Sequence, residues 1–587
     1  MPISINKNLD LEKIILPPWW WRSRRCRPRV LIVTDGGLNY RENDGFGLTR
    51  FIDAISNHSS VTLRPIITLA HRGVHISPVV ISGTTYNVST GFNFSTASPD
   101  VSTQNYDQIW LFGISGAPIS DAEVRKIAEF MNAGGGVFST GDHAHLGSQM
   151  SDRLPRIRHM RNWRASSSGG VPMGYESIPM SLNRIDTIVD PGSDNFYEFV
   201  DQSDNIPQRI YPNYKVTGTD ANDWVATIHP VLRMPGSSLS RGPAFSGFGP
   251  AAFSNDIDVL PDHPHESECF EVSSSENTAA HNGTYSEANM SFQEFPNYEI
   301  GTGKIPAEIV AYSVSGGRSI HSGPSKPPVR PRMFGANCAF NGHLSAPISG
   351  TVRPGRIMCD ATWHHFVNIN LDGVGTSRNG LGSWNLAQTI FTASPDLLKI
   401  YKYFQNMIDW LQPSNRIWCL FYWYISEVYY RSPMREEFID AIETKNLDDV
   451  RKIGMITSNA IDETIGLGTA RMMVAAALRE SKGGTKLAAL LDPNAGELDS
   501  KEINEVIFGI IGQAAADLIP VLKEPGELEI EDNKKSAEKE EEKIYERFEA
   551  SLQKGLIERV SSTIKEYLKS ADKSRRRKVR SLKSALD

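Results

Sequence analysis

The segment Ser139-Thr140-Gly141-Asp142-His143-Ala144-His145-Leu146-Gly147 crowds one carboxylate and two imidazoles into Asp142–His145. The Asp-His-x-His spacing returns at Asp262-His263-Pro264-His265, with Glu266 next, and a third cluster reads Asp360-Ala361-Thr362-Trp363-His364-His365. Of the 14 histidines in the chain, six lie in these three segments. Imidazole nitrogen and carboxylate oxygen are the ligands of zinc, manganese, iron and related divalent ions. Residues two apart on an extended segment share a face, so His143 with His145 and His263 with His265 each make a two-imidazole pincer. Asp142 and Asp262 are then available to a second ion or to an outer hydrogen bond. The expected metal set is Asp142, His143, His145, Asp262, His263, His265 and His365, and the expected ion is zinc, with manganese or iron as alternatives. A bound ion of this kind brings a coordinated water toward neutral pKa and polarises a substrate oxygen. Three residues are expected to do acid–base or orienting work beside it: Glu266 as general base, Asp360 orienting His364, and His364 itself. Two other readings of the same residues stand: metal-free acid–base catalysis by His143 and His364, and a hydrogen-bonded structural network.

Metal chemistry needs donors held on rigid elements, and the surrounding pattern supplies them. Val30-Leu31-Ile32-Val33-Thr34 is a continuous apolar run ending in Asp35-Gly36-Gly37, as a buried parallel strand does. Phe46 to Ser56 reads as a helix, Val61 to Ile67 as a second strand, and Tyr106 to Gly113 as a third. Ser120 with Glu123 has capping-box spacing and opens a helix with Val124, Ile127, Ala128 and Met131 on one face. That helix stops at Gly134-Gly135-Gly136, and the next strand delivers Asp142. Strands alternating with helices predict a doubly wound parallel sheet, whose ligands bind at the carboxyl ends of the strands. Residues 150 to 255 are rich in Gly, Pro, Ser and Asn and are expected to be long loop insertions over that edge, with scattered strands or short helices. Later strands are expected at Ile257–Leu260, Ala307–Tyr312, Arg332–Ala336 and Arg356–Asp360, the last leading into His364 and His365.

The character changes near residue 390. Ser394-Pro395-Asp396 is a helix start, followed by an aromatic segment from Ile417 to Tyr430 and helical patterns at Met434–Glu443, Leu447–Ala460, Thr469–Glu480 and Asp499–Leu522. A charged linker precedes a last helix that places Ile544, Phe548, Leu552, Leu556, Val560, Ile564 and Leu568 in one stripe, which wants a partner helix in this chain or another. The expected division is an aromatic and basic arm over 1–29, an α/β domain over 30–390, a helical domain over 391–523, and a linker, amphipathic helix and basic tail over 524–587.

At 587 residues the chain exceeds one ordinary core. A net charge of −7 gives no global drive toward nucleic acid or anionic membrane. The 5 cysteines show no CxxC spacing, which argues against a disulfide framework and a thiolate zinc site. The first residues lack a signal-peptide apolar core, and Ile417–Tyr430 is too short to span a bilayer, so a cytoplasmic protein without a membrane span is expected.

The stretch from about 30 to 370 resembles the class I glutamine amidotransferase-like superfamily, particularly its ThuA-like branch. The resemblance rests on Val30 to Gly36, Tyr106 to Gly113, the Ser120 helix with Gly134-Gly135-Gly136, the strand into Gly141, and the late strand before His364 and His365. It implies a flavodoxin-like sheet with its active site at a strand-to-helix turn. In amidotransferase members that turn carries a Cys nucleophile in a Gly-x-Cys-x-Gly pattern. Here the matching segment is Gly141-Asp142-His143-Ala144-His145, with His143 where the thiol would be and no second Gly, so glutamine hydrolysis through a cysteine is not expected. The expectation carried forward is an α/β, flavodoxin-like protein with a helical C-terminal domain. It acts as a metal-dependent hydrolase on a small or polar substrate, and the C-terminal helices mediate homo-oligomerisation or partner docking. A non-catalytic ligand-binding or regulatory protein is the alternative.

Overall fold

A computed structural model of the chain describes residues 27–58, 64–142, 146–163, 207–217, 225–234, 240–241, 256–261, 268–273, 283–299, 303–315, 332–348, 352–375, 381–385, 387, 390–414, 450–458, 470, 474, 478, 504 and 506–513. The chain divides into two units, one formed by Pro28–Ser414 with Glu463–Leu467, the other by Met1–Arg27, Asn415–Asp462 and Gly468–Asp587.

The first unit is an α/β structure built on a ten-stranded sheet. Its strands are β1 (Arg29–Thr34), β2 (Ile66–His71), β3 (Val88–Thr90), β4 (Gln108–Phe112), β5 (Gly136–Thr140), β6 (Gln208–Pro212), β7 (Val259–Leu260), β8 (Ala307–Ser315), β9 (Arg332–Asn341) and β10 (Arg356–Asp360), arranged in the order β7-β6-β8-β9-β10-β5-β4-β1-β2-β3. From β3 to β10 every neighbouring pair is parallel. From β10 outward, β9, β8, β6 and β7 pair antiparallel. The sheet is therefore mixed rather than wholly parallel. The reason is in the connections: the chain passes from β8 to β9 and from β9 to β10 without a crossover helix among the described residues, and only a crossover returns a strand to the parallel direction.

Side chains alternate across the parallel strands. Val30, Ile32, Trp110, Phe112, Phe138 and Met358 enter one core. Leu31, Val33, Ile109, Leu111, Val137, Ile357 and Cys359 enter the other. A sheet buried on both faces demands apolar residues at successive positions, which explains the unbroken apolar runs. Helix α1 (Thr49–Ser56) is capped by Leu48 rather than starting at Phe46. It lies on the first face with α4 (Pro395–Trp410), Phe51 meeting Phe404 edge-on at 5.1 Å. Helix α2 (Asp121–Asn132) covers the second face through Val124, Ile127 and Met131. The Ser120/Glu123 capping box forms in full, and the Ser394 side chain caps α4. Because α4 buries Leu397, Ile400, Tyr403, Phe404 and Met407 in the sheet's core, this unit runs past residue 390 to Ser414.

Strand β2 starts at Ile66, later than the apolar run suggests, with 61–63 outside the described residues. In the second unit, residues 450–458 and 506–513 are helical. Gly454 and Gly512 bring those helices into backbone contact, since a Cβ on either would strike the carbonyl of Phe508 or Val450. The arm over 1–26, the aromatic segment Ile417–Tyr430, the helix expected at Met434–Glu443, the charged linker, the helix from Ile544 and the basic tail lie outside the described residues. No helix among the described residues is long and apolar enough to cross a membrane.

Candidate active site at the carboxyl edge of the sheet

The parallel strands deliver four segments to one edge: Asp35-Gly36-Gly37 after β1, Gly113 to Gly116 after β4, Gly141 and Asp142 after β5, and Ala361 to His365 after β10. The last two are stitched together. Trp363 N donates to Gly141 O at 2.8 Å. Arg161, fully buried, donates through Nη2 to Asp142 O (2.9 Å) and Ala361 O (2.7 Å), with its guanidinium 4.5 Å above the Trp163 ring. Burial pushes the Arg161 pKa down, as desolvation disfavours the cation.

Thr362 organises the turn after β10. Its extended backbone makes it the cap of a single 3-10 turn, Trp363–His365. The Thr362 hydroxyl accepts from His364 N at 3.1 Å and donates to Asp142 Oδ1 at 2.7 Å, across 220 residues of sequence. The other carboxylate oxygen, Oδ2, lies 3.5 Å from His364 Nε2. On the far side of that ring, Nδ1 lies 3.1 Å from Asn370 Oδ1, at the third residue of α3 (Asn368–Leu371). With Oδ1 taken as the acceptor, Nδ1 carries a ring proton and Nε2 is the atom that faces Asp142. Trp363 stacks on His364, ring centroids 4.2 Å apart and 27° from parallel. Phe46 meets Trp363 edge-on at 5.4 Å. Asp142 is buried and the His364 side chain is 17% exposed, so the imidazole opens the pair to solvent.

Asp360 and His365 form a separate pair. His365 Nδ1 is 2.6 Å from Asp360 Oδ1, and both side chains are fully buried. Tyr403 of α4 donates to Asp360 Oδ2 at 2.9 Å and accepts from Asn337 of β9 at 3.1 Å. Burial and the adjacent Asp360 charge push the Tyr403 pKa well up, holding it as a neutral donor. Asp360 therefore orients His365, while Asn370 orients His364. The expected sequence neighbours are brought together in crossed partnership.

Of the residues singled out in the sequence, Asp142, Asp360, His364 and His365 are described and meet at this edge. His143, His145, Asp262, His263, His265 and Glu266 lie outside the described residues. Among the described residues no group of three or more His, Cys, Asp and Glu is placed to hold a metal ion. Two donors, Asp142 and His364, face each other. Thr362, Asn370, Arg161, Tyr403 and Asn337 carry no signal in the sequence, because neutral and cationic partners have no spacing rule when the fold, not the chain, makes them neighbours. No family model matches this sequence, and neither a curated protein nor a solved structure matches it.

Proposed function

We propose that this protein is a metal-dependent hydrolase whose centre is Asp142 with His364, on an amidotransferase-like α/β unit. The observation that carries the reading is the separation of Asp142 Oδ2 from His364 Nε2 at 3.5 Å, with the second polar atom of each side chain tied elsewhere. That distance is longer than an ordinary hydrogen bond. It is close to what two ligands subtend when each stands about 2.1 Å from one tetrahedral ion, about 3.4 Å. Metal-bound imidazoles donate their other N–H to a carbonyl or carboxylate, and ligating carboxylates are themselves hydrogen-bonded. Asn370 and Thr362 have those places. The reading assigns His143 and His145, next to Asp142 in sequence, to the remainder of the donor set. Zinc suits this imidazole and carboxylate set, with manganese or iron as alternatives.

When bound, the ion supplies a Lewis acid that activates water and polarises a substrate oxygen. The chain's own residues do the rest. Thr362 holds the Asp142 carboxylate, Asn370 sets the His364 tautomer, and the Trp363 ring shields one face of that imidazole from water. The order β2-β1-β4-β5-β10, with the short β3 outside it, supports a flavodoxin-like arrangement, in which ligands enter where the strand order reverses. Elemental analysis of the purified full chain tests the proposal. Zinc, manganese or iron near one equivalent, lost in both His364→Ala and Asp142→Asn, supports it. A folded protein without metal that takes up none on titration overturns it in favour of a metal-free acid–base pair or a binding module.

A further inference from the structure

Among the described residues, Phe46 is the one phenylalanine that stands exposed, at 43%. It is not on a slack loop. Phe46 N donates to Asp44 Oδ1 at 3.0 Å, and Asn39 N donates to Phe46 O at 3.2 Å. Helix α3 clamps the same loop: Asn368 N donates to Gly47 O (2.8 Å), Ile369 N to Gly45 O (3.0 Å) and the buried Asn368 side chain to Asp44 O (3.0 Å). The clamp is close, since a Cβ on Gly47 would strike Arg41 O and Asn368 Nδ2. Helix α3 is also the element that presents Asn370 to His364. The phenyl ring is therefore fixed in the frame that fixes the imidazole, and only the Trp363 ring separates the two. A ring left in water beside a core that could bury it forgoes hydrophobic stabilisation. Rigid loops at the carboxyl edge of such a sheet are where binding groups are carried.

The other three loops of this edge repeat the pattern. The loop after β4 leaves Ile114 half-buried, the loop after β5 leaves Leu146, and the segment after β10 leaves Ile369. All three pack on the core that holds Trp363. Gly147 N donates to Ile114 O (3.2 Å) and Asp142 N to Leu146 O (3.0 Å), which ties two of these loops to each other and to Asp142. Ligand sites are mostly apolar walls around a few polar groups, and here the polar groups are Asp142 and the partly open His364.

We propose that Phe46 is a specificity-determining residue of this site, forming with Ile114, Leu146 and Ile369 the wall that takes an aryl group carried next to the scissile bond. The inference rests on the hydrolase reading above and names its substrate class. Aromatic rings favour edge-to-face and offset contacts with one another. A substrate ring against Phe46 would extend the series Phe46, Trp363, His364, and would set the bond to be cut beside the imidazole.

The test uses the full chain and two matched pairs of probes, benzyl and ethyl acetate and benzyl and ethyl phosphate. Both leaving groups are primary alcohols, so each pair differs in the ring rather than in the chemistry of cleavage. Wild type is expected to favour the benzyl member of the hydrolysed pair. Phe46→Ala is expected to lower the benzyl-over-ethyl ratio of kcat/KM about threefold to tenfold, the size of one aromatic pair. The loss should fall on KM, as removal of uniform binding does. Phe46→Tyr keeps the ring and should retain the wild-type ratio. Phe46→Leu keeps apolar bulk without the ring and should lower the ratio in the same direction, so the result does not hang on the fold of the alanine variant. A wild-type preference for ethyl, or a ratio unchanged in Phe46→Ala and Phe46→Leu, overturns the assignment while leaving the hydrolase reading intact. A wild-type chain that hydrolyses none of the four probes removes the hydrolase reading, and this one with it.

Discussion

The Thr362 hydroxyl makes two bonds at once, accepting from His364 N and donating to Asp142 Oδ1. Thr362→Val keeps the shape and removes both. It leaves a buried carboxylate oxygen short of a donor, and a loss of about 1–3 kcal/mol in urea unfolding is expected. If Asp142 ligates an ion, affinity falls about 10–100-fold as well, the usual cost of losing an outer partner. Tyr403→Phe separates the two networks. It should cost a similar about 1–3 kcal/mol by unsatisfying Asp360 Oδ2, yet leave ion affinity unchanged, because Tyr403 serves Asp360 and His365 rather than Asp142 and His364. Asp35 gives a pH signature with a definite sign. Burial holds its folded pKa above the ordinary aspartate value, so the native state holds the proton more tightly. Stability contributed by the protonated carboxyl is full below the unfolded pKa and is lost as pH rises through the folded one. Asp35→Asn removes that loss. Relative to wild type it should gain stability between pH 4 and pH 7 in urea midpoints, whereas an Asp35 with an ordinary pKa would give parallel curves.

At the scale of elements, the site is held by close backbone approaches that only glycine permits. Gly147 has φ +88° and its Cα region abuts Gly141 and Gly113, so a Cβ there meets backbone on two sides. Gly147→Ala should therefore destabilise the unit by about 1–3 kcal/mol, combining left-handed strain with overpacking. It should also lower ion affinity by displacing the loop that ends at Asp142, and a variant with wild-type stability would contradict this packing. The strands that needed no partner information were legible in the chain: β1, β4, β5 and β10 are apolar runs with a single solution, and the Ser120 and Ser394 caps are local by construction. Strands β7, β8 and β9 were legible as strands but not as antiparallel ones, because direction follows from connections that residue types do not encode, and β6 lies in the stretch expected to be loop insertions. The candidate site was half legible. Asp142 and His364 were marked by their chemistry, but Asp360 was matched to the wrong histidine, since adjacency in sequence cannot say which ring of a His-His pair turns inward.

At the scale of the whole molecule, both core clusters and the candidate site draw on residues between 28 and 414. A fragment over 28–414 should fold on its own, with a single cooperative urea transition and the ion affinity of the full chain. A fragment without a cooperative transition would show that the second unit is needed for folding. The boundary expected near 390 fell short of this because α4 looks, by periodicity alone, like any amphipathic helix. Its burial in the sheet's core and its bonds to Gln108, Asn337, Arg356 and Asp360 tie it to the sheet.

The most direct test of the central claim is a double-mutant cycle read by calorimetric zinc titration of the full chain, using Asp142→Asn, His364→Ala and the pair. If the two side chains hold one ion, each single variant loses most of the affinity and the double variant loses little more than either. Full additivity of the two losses, or zinc binding untouched by both substitutions, would contradict a shared centre.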